Sequence, residues 1–159
     1  MIVADANLLI NLVCATPLAD MARRIRALDQ DWVSPQLWQA EVLNGLLVMH
    51  RAGLLSLAEA TQAWRNAAAV AVIGVHEGDP ADILQTAQDA GLSAYDAHYV
   101  CMARALGIPL VTEDRKVLRA CPDVARSMQA FLEPPSKPPV VQEKRAAYRA
   151  RRSRKKSAK

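Results

Sequence analysis

The sequence predicts an α/β domain with a mostly parallel central sheet, and two features of the pattern lead to this fold class. Short apolar runs typical of buried strands alternate with longer segments whose apolar residues recur at helical spacing. The two clearest strands, at 2–4 and 108–112, are each followed within two residues by an aspartate. A helix between successive strands returns the chain to its starting edge, so the strands run parallel.

The first half of the chain predicts two strands and four helices. The IVA run at 2–4 ends at Asp5, and the WVS run at 32–34 is closed by Pro35. Four segments show helical spacing and are bounded by turn residues: 7–14, 17–29, 36–51 and 57–71. In the third of these helices, we expect the apolar residues to share one face: Val42, Leu43, Leu46, Leu47 and Met49.

The second half continues the alternation. An apolar run at 72–76 predicts a strand, and 80–90 predicts a helix with proline at its start and glycine after its end. A helix over 93–106 ends at Gly107 and leads into the IPLVT strand. A short helix over 114–120 and an edge strand within 124–131 complete the predicted elements.

Composition limits the class of protein. A chain of 159 residues that is 52% hydrophobic and 23% charged fits one compact domain with an appendage. No apolar run approaches the roughly 20 residues that a membrane span needs, and the apolar N-terminus lacks the basic start of a signal peptide. The three cysteines are widely spaced and form no C-x-x-C pattern. We therefore expect a cytoplasmic protein with reduced thiols, without a disulfide framework or a zinc site.

The charge is divided unevenly along the chain. The segment EPPSKPP, which no helix or central strand tolerates, separates a predicted domain at 1–132 from a linker and tail at 133–159. Residues 137–159 hold ten Lys or Arg and one Glu, a net charge of +9, which leaves −5 for residues 1–136 of a chain whose total is +4. We expect the tail to be disordered or partly helical.

Four carboxylates are predicted to meet at one edge of the sheet. Asp5 and Asp114 follow strands directly, and ligands of parallel sheets bind at that carboxyl edge. From Asp96 the helix descends roughly 16 Å, and the following strand climbs roughly 16 Å. The chain therefore returns to its starting height, and Asp96 and Asp114 are expected at the same edge. Glu41 lies about a turn and a half into its helix, roughly 9 Å below the rim.

Each acid also has a structural interpretation. Asp96 closes a Ser93-x-x-Asp96 capping box, Asp114 is a candidate N-cap, Asp5 can form a turn, and Glu41 can be a solvated helix residue. Convergence favours function, because four carboxylates in one place repel one another unless a cation lies between them. Hard oxygen ligands without His or Cys suit Mg²⁺, with Mn²⁺ as the alternative.

Three segments carry a family resemblance: VADANLLI, PQLWQAEVLNGL and LSAYDAHYVCMARALGIPLVTEDRKV. Over about residues 1–132 the chain resembles the PIN-domain ribonucleases, and specifically the VapC-like toxins of type II toxin–antitoxin pairs. The resemblance implies a three-layer α/β/α fold and a metal site formed by Asp5, Glu41, Asp96 and Asp114. It maps the family's hydroxyl residue onto Thr112. Asn7 stands where the family often has Ser or Thr.

The resemblance also implies an activity and partners. It predicts endonucleolytic hydrolysis of a structured RNA, of the tRNA or rRNA class, by water that Mg²⁺ activates. It further predicts inhibition by a cognate antitoxin and a homodimer without a membrane partner. Six basic residues are candidates for phosphate contacts, two beside Asp114 and four in the tail: Arg115, Lys116, Arg145, Arg149, Arg151 and Arg152.

Three alternatives remain open at this stage. A haloacid-dehalogenase-like phosphatase also begins with a strand followed by Asp, but it needs a second Asp where Asn7 stands. A non-catalytic PIN-like adaptor that binds RNA or protein is the second alternative, although all four acids are present. A stand-alone RNA-processing nuclease without an antitoxin is the third.

Overall fold

A five-stranded sheet forms the centre of the computed structural model, which describes residues 1–73 and 78–133. The strands are β1 Ile2–Ala4, β2 Trp32–Ser34, β3 Val72–Ile73, β4 Leu110–Val111 and β5 Ala125–Arg126. Their order across the sheet is β3-β2-β1-β4-β5, and every neighbouring pair is parallel. The predicted α/β class with a parallel sheet is confirmed.

Helices connect the strands and flank the sheet. Within the described residues they are α1 Ala6–Val13, α2 Ala19–Leu28, α3 Trp38–Arg51, α4 Leu57–Ala68, α5 Pro80–Ala90, α6 Ala94–Leu106, α7 Arg115–Ala120 and α8 Met128–Leu132. None of them is long and apolar enough to span a membrane.

The order of the strands divides the helices into two layers. The chain moves from β1 through β2 to β3, and then returns across the sheet to β4 and β5. Because crossovers between parallel strands are right-handed, this reversal puts α1–α4 and α5–α7 on opposite faces. The packing agrees: α1 contacts α2, α3 and α4, whereas α5 packs on α6, which contacts β1 and β4. The result is an α/β/α sandwich whose direction of winding changes between β1 and β4.

The core contains residues of β1, β2, β4 and β5 and the inner faces of both layers. All of β1 is buried, and the largest fully buried side chains include Trp32 and Trp38. Trp38 stacks on Trp64, with ring centroids 6.3 Å apart, so these tryptophans contribute to packing rather than offering platforms for bases. The three cysteines are buried and free.

One detail of the predicted elements is wrong. In α3, Val42 and Leu46 are buried but Leu43 and Leu47 are 53% and 37% exposed, because five apolar residues within eight positions cover more than one helix face. The edge strand predicted within 124–131 is confirmed as β5 at Ala125–Arg126, and the chain then forms α8. The Ser127 hydroxyl accepts the Ala130 N–H at 3.1 Å and so begins this helix.

Some sequence predictions fall outside the described residues. The predicted strand at 72–76 is described only at Val72–Ile73, since 74–77 lie outside the described ranges. Residues 134–159 also lie outside the described ranges, and they include most of the predicted linker, the basic tail and its four candidate arginines.

Candidate active site

The candidate site lies at the carboxyl edge of the sheet, between β1 and β4. Asp5 follows β1, and Thr112 follows β4. The Asp5 N–H donates to the Val111 carbonyl at 3.2 Å, which continues the pairing of the two strands to the rim. In open parallel sheets, the point where the winding changes direction is the usual ligand site, because the helices on either side diverge there.

Thr112 and Asn7 hold the Asp5 carboxylate. The Thr112 hydroxyl donates to Asp5 Oδ2, and Asn7 Nδ2 donates to the same oxygen at 2.5 Å. Asn7 Nδ2 also lies 3.1 Å from Thr112 Oγ1, and its carbonyl oxygen accepts the Glu113 N–H at 3.2 Å. Asn7 therefore joins the first turn of α1 to the end of β4. A Ser or Thr side chain is shorter and has only one hydroxyl group with which to make these contacts.

Asp114 is connected to Asp5 through Thr112. Its N–H donates to Thr112 Oγ1 at 2.9 Å. Its Oδ1 accepts the N–H groups of Lys116 and Val117, at 2.6 and 3.1 Å, so Asp114 is the N-cap of α7. The predicted N-cap role of Asp114 is therefore confirmed. The same cap holds Asp114 next to Thr112, at the edge of the sheet where Asp5 lies.

Asp96 forms the predicted capping box at the start of α6. The Ser93 hydroxyl donates to Asp96 Oδ2 at 2.7 Å, and the Asp96 N–H donates to Ser93 Oγ at 3.1 Å. Asp96 and Asp114 each use only one carboxylate oxygen for the hydrogen bonds within their helix caps. The described residues donate no hydrogen bond to Asp96 Oδ1 or Asp114 Oδ2.

Glu41 lies in the first turn of α3, because the helix begins at Trp38, two residues later than predicted. It is therefore closer to the rim than the predicted turn and a half. The hydroxyl of Tyr99 donates to Glu41 Oε2. Sequence reasoning did not select Tyr99, although its spacing of three residues from Asp96 puts both on one face of α6. That spacing is the signal that was missed.

Burial and mutual repulsion raise the pKa values of Asp5 and Glu41. Burial raises the pKa of Asp5 to about 7; the hydrogen bond from Thr112 opposes this, and the charges of Glu41 and Asp96 add to it. Burial and the charge of Asp96 also raise the pKa of Glu41. The pKa of Tyr99 is raised mainly by burial, and further by Asp5 and Glu41, so its hydroxyl remains a donor. Asp5, Glu41 and Asp96 thus share one electrostatic environment.

The donor set fits a hard divalent cation. Among residues 1–73 and 78–133, no three His, Cys, Asp or Glu side chains lie close enough to form one metal-binding group. Asp5 and Asp114 are instead linked through Thr112 at the end of β4, Glu41 and Asp96 lie near enough to affect the pKa of Asp5, and the described residues donate no hydrogen bond to Glu41 Oε1. Oxygen ligands of negative charge are those of Mg²⁺ and Mn²⁺, whereas zinc prefers nitrogen and sulfur.

Two of the predicted nucleic-acid contacts can be located. Arg115 and Lys116 are exposed in the first turn of α7, next to Asp114, and form no ion pair with the described residues.

His98 is half-buried, and its charged form lowers the pKa of Glu41. His50 contacts the Leu55 carbonyl at 2.9 Å and has a structural role.

Comparison with known proteins agrees with this architecture. The family model of the PIN domain matches residues 2–121. The chain belongs to the PIN-domain family. PIN domains are generally metal-dependent nucleases that use divalent ions such as Mg²⁺ or Mn²⁺.

A solved structure shares the fold. The crystal structure of PAE2754 from Pyrobaculum aerophilum is similar to this PIN domain with a TM-score of 0.66 and 25% sequence identity. The match covers 83% of this chain and 96% of PAE2754. No curated protein sequence is significantly similar to this chain.

The raised pKa of Asp5 predicts how the metal-free protein responds to pH. A carboxyl whose folded pKa lies near 7, above its unfolded value near 4, contributes stability that is present at low pH and is lost as pH rises through 7. Asp5→Asn removes this loss. In EDTA at pH 8 we expect the variant to exceed the wild type by on the order of 2 kcal/mol in free energy of unfolding, measured by urea denaturation. The difference should shrink toward pH 4.

Asp123→Asn is the matched control with the opposite sign. The hydrogen bond from Arg104 lowers the pKa of Asp123, so its replacement should lower stability at pH 8. Identical unfolding curves for wild type and Asp5→Asn at pH 8 would show that Asp5 is not in a repulsive, buried environment.

Proposed function

We propose that this PIN domain is a metal-dependent endoribonuclease and the VapC-like toxin of a toxin–antitoxin pair. The observation that supports the proposal is the link from Asp5, which follows β1, through Thr112 to Asp114, together with the effect of the Glu41 and Asp96 charges on the pKa of Asp5. PIN domains are generally nucleases, and the carboxylate oxygens of these residues suit Mg²⁺ or Mn²⁺.

Each side chain has a defined task in this proposal. Asp5 and Asp96 are the first choices as direct ligands, and Glu41 and Asp114 bind directly or through water. A bound divalent ion would supply the Lewis acid that activates water and neutralises phosphate charge. Thr112 and Asn7 fix the orientation of Asp5 through their hydrogen bonds to its Oδ2.

Capture of RNA is assigned to basic residues outside the carboxylate cluster. Arg115 and Lys116 lie at the rim, where a phosphate next to the cut can reach them. The body of the protein is acidic and repels RNA, so the basic tail would add attraction that does not depend on sequence. Its four candidate arginines are Arg145, Arg149, Arg151 and Arg152.

An exposed apolar surface supports a protein partner. Two neighbouring helices, α3 and α4, and the turn between them expose five aliphatic side chains: Leu43, Leu47, Val48, Leu54 and Leu57. Exposed clusters of this kind usually mark protein interfaces. We assign this surface to an antitoxin segment in a homodimeric complex. A short overlapping upstream gene with a DNA-binding N-terminus would support the toxin role, and its absence would favour a stand-alone processing nuclease.

One observation favours a second function. Asp96 and Asp114 both serve as helix caps, and the described residues contain no group that could chelate an ion without rearrangement. A PIN domain that has lost catalysis and binds RNA or protein as an adaptor would keep such caps. Cleavage assays separate the two functions.

The nuclease function predicts strong effects of two isosteric substitutions. Asp5→Asn and Asp96→Asn each remove a negative ligand, so Mg²⁺-dependent cleavage of RNA should fall by more than the roughly 100-fold that is typical of residues that only orient ligands. The measurement is the rate of cleavage of total tRNA and rRNA, with and without EDTA. Asp89→Asn, on α5, is the control and should keep wild-type activity.

Full activity in either variant would refute the assignment of the site. Wild-type protein that cleaves no RNA with Mg²⁺ or Mn²⁺, yet binds it, would favour the adaptor function.

The basic tail predicts a change in salt dependence. Deletion of 137–159 removes ten Lys or Arg, so RNA binding should weaken and its dependence on salt should flatten, by up to about 0.7 in log–log slope for each lost contact with single-stranded RNA. Binding to catalytically inactive Asp5→Asn protein, measured by fluorescence anisotropy at several salt concentrations, tests this. A full-length control with the ten basic residues replaced by Gln should match the deletion. An unchanged slope would exclude the tail from RNA capture.

A further inference from the structure

We propose that a pocket beside the carboxylates, lined by Pro35, Gln36, Leu37, Tyr95 and His98, binds one unpaired nucleobase of the RNA next to the cleaved phosphate. The inference rests on the proposed nuclease function and adds to it a residue that selects the substrate. Tyr95 provides the stacking surface.

The pocket opens on the same rim as the candidate site. Three of its residues follow β2, whose last residue, Ser34, donates a hydrogen bond to the Ala4 carbonyl next to Asp5 at 2.6 Å. The other two lie in the first turns of α6, on either side of Asp96 in sequence. An RNA strand whose phosphate lies between Asp5 and Asp96 would therefore have a neighbouring base within reach of the pocket.

Tyr95 is an unusual residue in this chain. The sequence has only seven aromatic residues. Among those that the structure describes, Tyr95 is 67% exposed, whereas Trp32, Trp38 and Tyr99 are buried and Trp64 and Phe131 are partly buried. The described residues make no hydrogen bond with its hydroxyl group. A solvent-exposed aromatic ring beside an RNA site can stack on a base, and such stacking contributes about 1–3 kcal/mol to binding.

The rest of the lining suits a base better than a phosphate. Pro35 and Leu37 supply apolar surface, and Gln36 and His98 supply donors and acceptors for the edge of a base. The lining contains no Arg or Lys, so phosphate would find no fixed charge partner there. The cavity of about 300 Å³ is at the small end of ligand pockets, which limits it to one base.

Recognition of RNA by stacking depends on bases that are unpaired and turned outward. The pocket therefore predicts that cleavage occurs in loops or other single-stranded segments, with a preference at one position next to the cut. Gln36 and His98 would set that preference, and Tyr95 would supply affinity for any base.

The experiment compares Tyr95→Ala with Tyr95→Phe on a pool of single-stranded RNA decamers of random sequence, with sequencing of the cut ends. Loss of stacking in Tyr95→Ala should lower kcat/KM by about 5- to 150-fold and flatten the base preference next to the cut. Tyr95→Phe keeps the ring and should retain at least half of the wild-type rate and the preference. Leu84→Ala, at an exposed residue of α5 outside the pocket, is the matched control and should change neither.

Binding measurements separate this inference from the nuclease function. With Asp5→Asn protein, which should not cleave, abasic substitution at each position of a decamer in turn should identify one position where binding is weaker than that of the intact decamer, and Tyr95→Ala should remove that difference. This result would support the pocket even if the wild type cleaved nothing, an outcome that would contradict only the nuclease function.

Three results would overturn the inference. The first is an unchanged rate and preference in Tyr95→Ala. The second is a loss in Tyr95→Phe as large as in Tyr95→Ala, since this would assign the effect to the hydroxyl. The third is a shift of Tyr95→Ala to a smaller species in size-exclusion chromatography, which would assign the residue to an interface between copies of the chain. Affinity for Mn²⁺ should be the same in the wild type, Tyr95→Ala and Tyr95→Phe.

Discussion

The candidate site depends on keeping a carboxylate, Asp5, in a poorly solvated place next to other carboxylates. Burial disfavours its charge, and Glu41 and Asp96 disfavour it further, which raises its pKa to about 7. Hydrogen bonds from Thr112 and Asn7 oppose this effect. A chain gains no stability from such an arrangement, so the observation argues for a use at this edge of the sheet. A divalent cation is the partner that would make the charges favourable together.

The surrounding elements restrict each acid through hydrogen bonds. Asp96 and Asp114 cap α6 and α7, and Tyr99 holds Glu41 from within the core. Each of these side chains uses one oxygen for the protein, and the described residues donate no hydrogen bond to the other. Caps and site are therefore compatible interpretations of the same residues, although the carboxylates must shift to bind an ion together, since no three acidic, His or Cys side chains among the described residues form a metal-binding group as they stand.

Much of this could be read from the sequence, because the signals are local. The strand at Ile2–Ala4 and the return from Asp96 through the next strand follow from periodicity and element lengths, and the structure has β1 and β4 side by side with the expected acids at their ends. The helix at 128–132 and the exposure of Leu43 could not be predicted in the same way. They depend on which neighbouring element covers a segment, and periodicity carries no information about that.

The details of the site were the hardest to predict. The support of Glu41 by Tyr99 joins residues 58 positions apart, and the exposure of Tyr95 depends on the space that β2 and α6 leave between them. Asn7 looked like a departure from the family pattern, yet it forms a bridge between α1 and the end of β4 that a hydroxyl could not form alone. Such effects arise from packing between distant segments, which spacing along the chain does not specify.

The central claim, that these carboxylates hold one divalent ion, is tested most directly by a crystal structure of the full chain with Mn²⁺, using anomalous scattering to locate the metal. The account predicts a peak between β1 and β4, with oxygens of Asp5 and Asp96 at about 2.1 Å and with Glu41 and Asp114 bound directly or through water. An anomalous peak elsewhere, or none near Asp5 at saturating Mn²⁺, would contradict it.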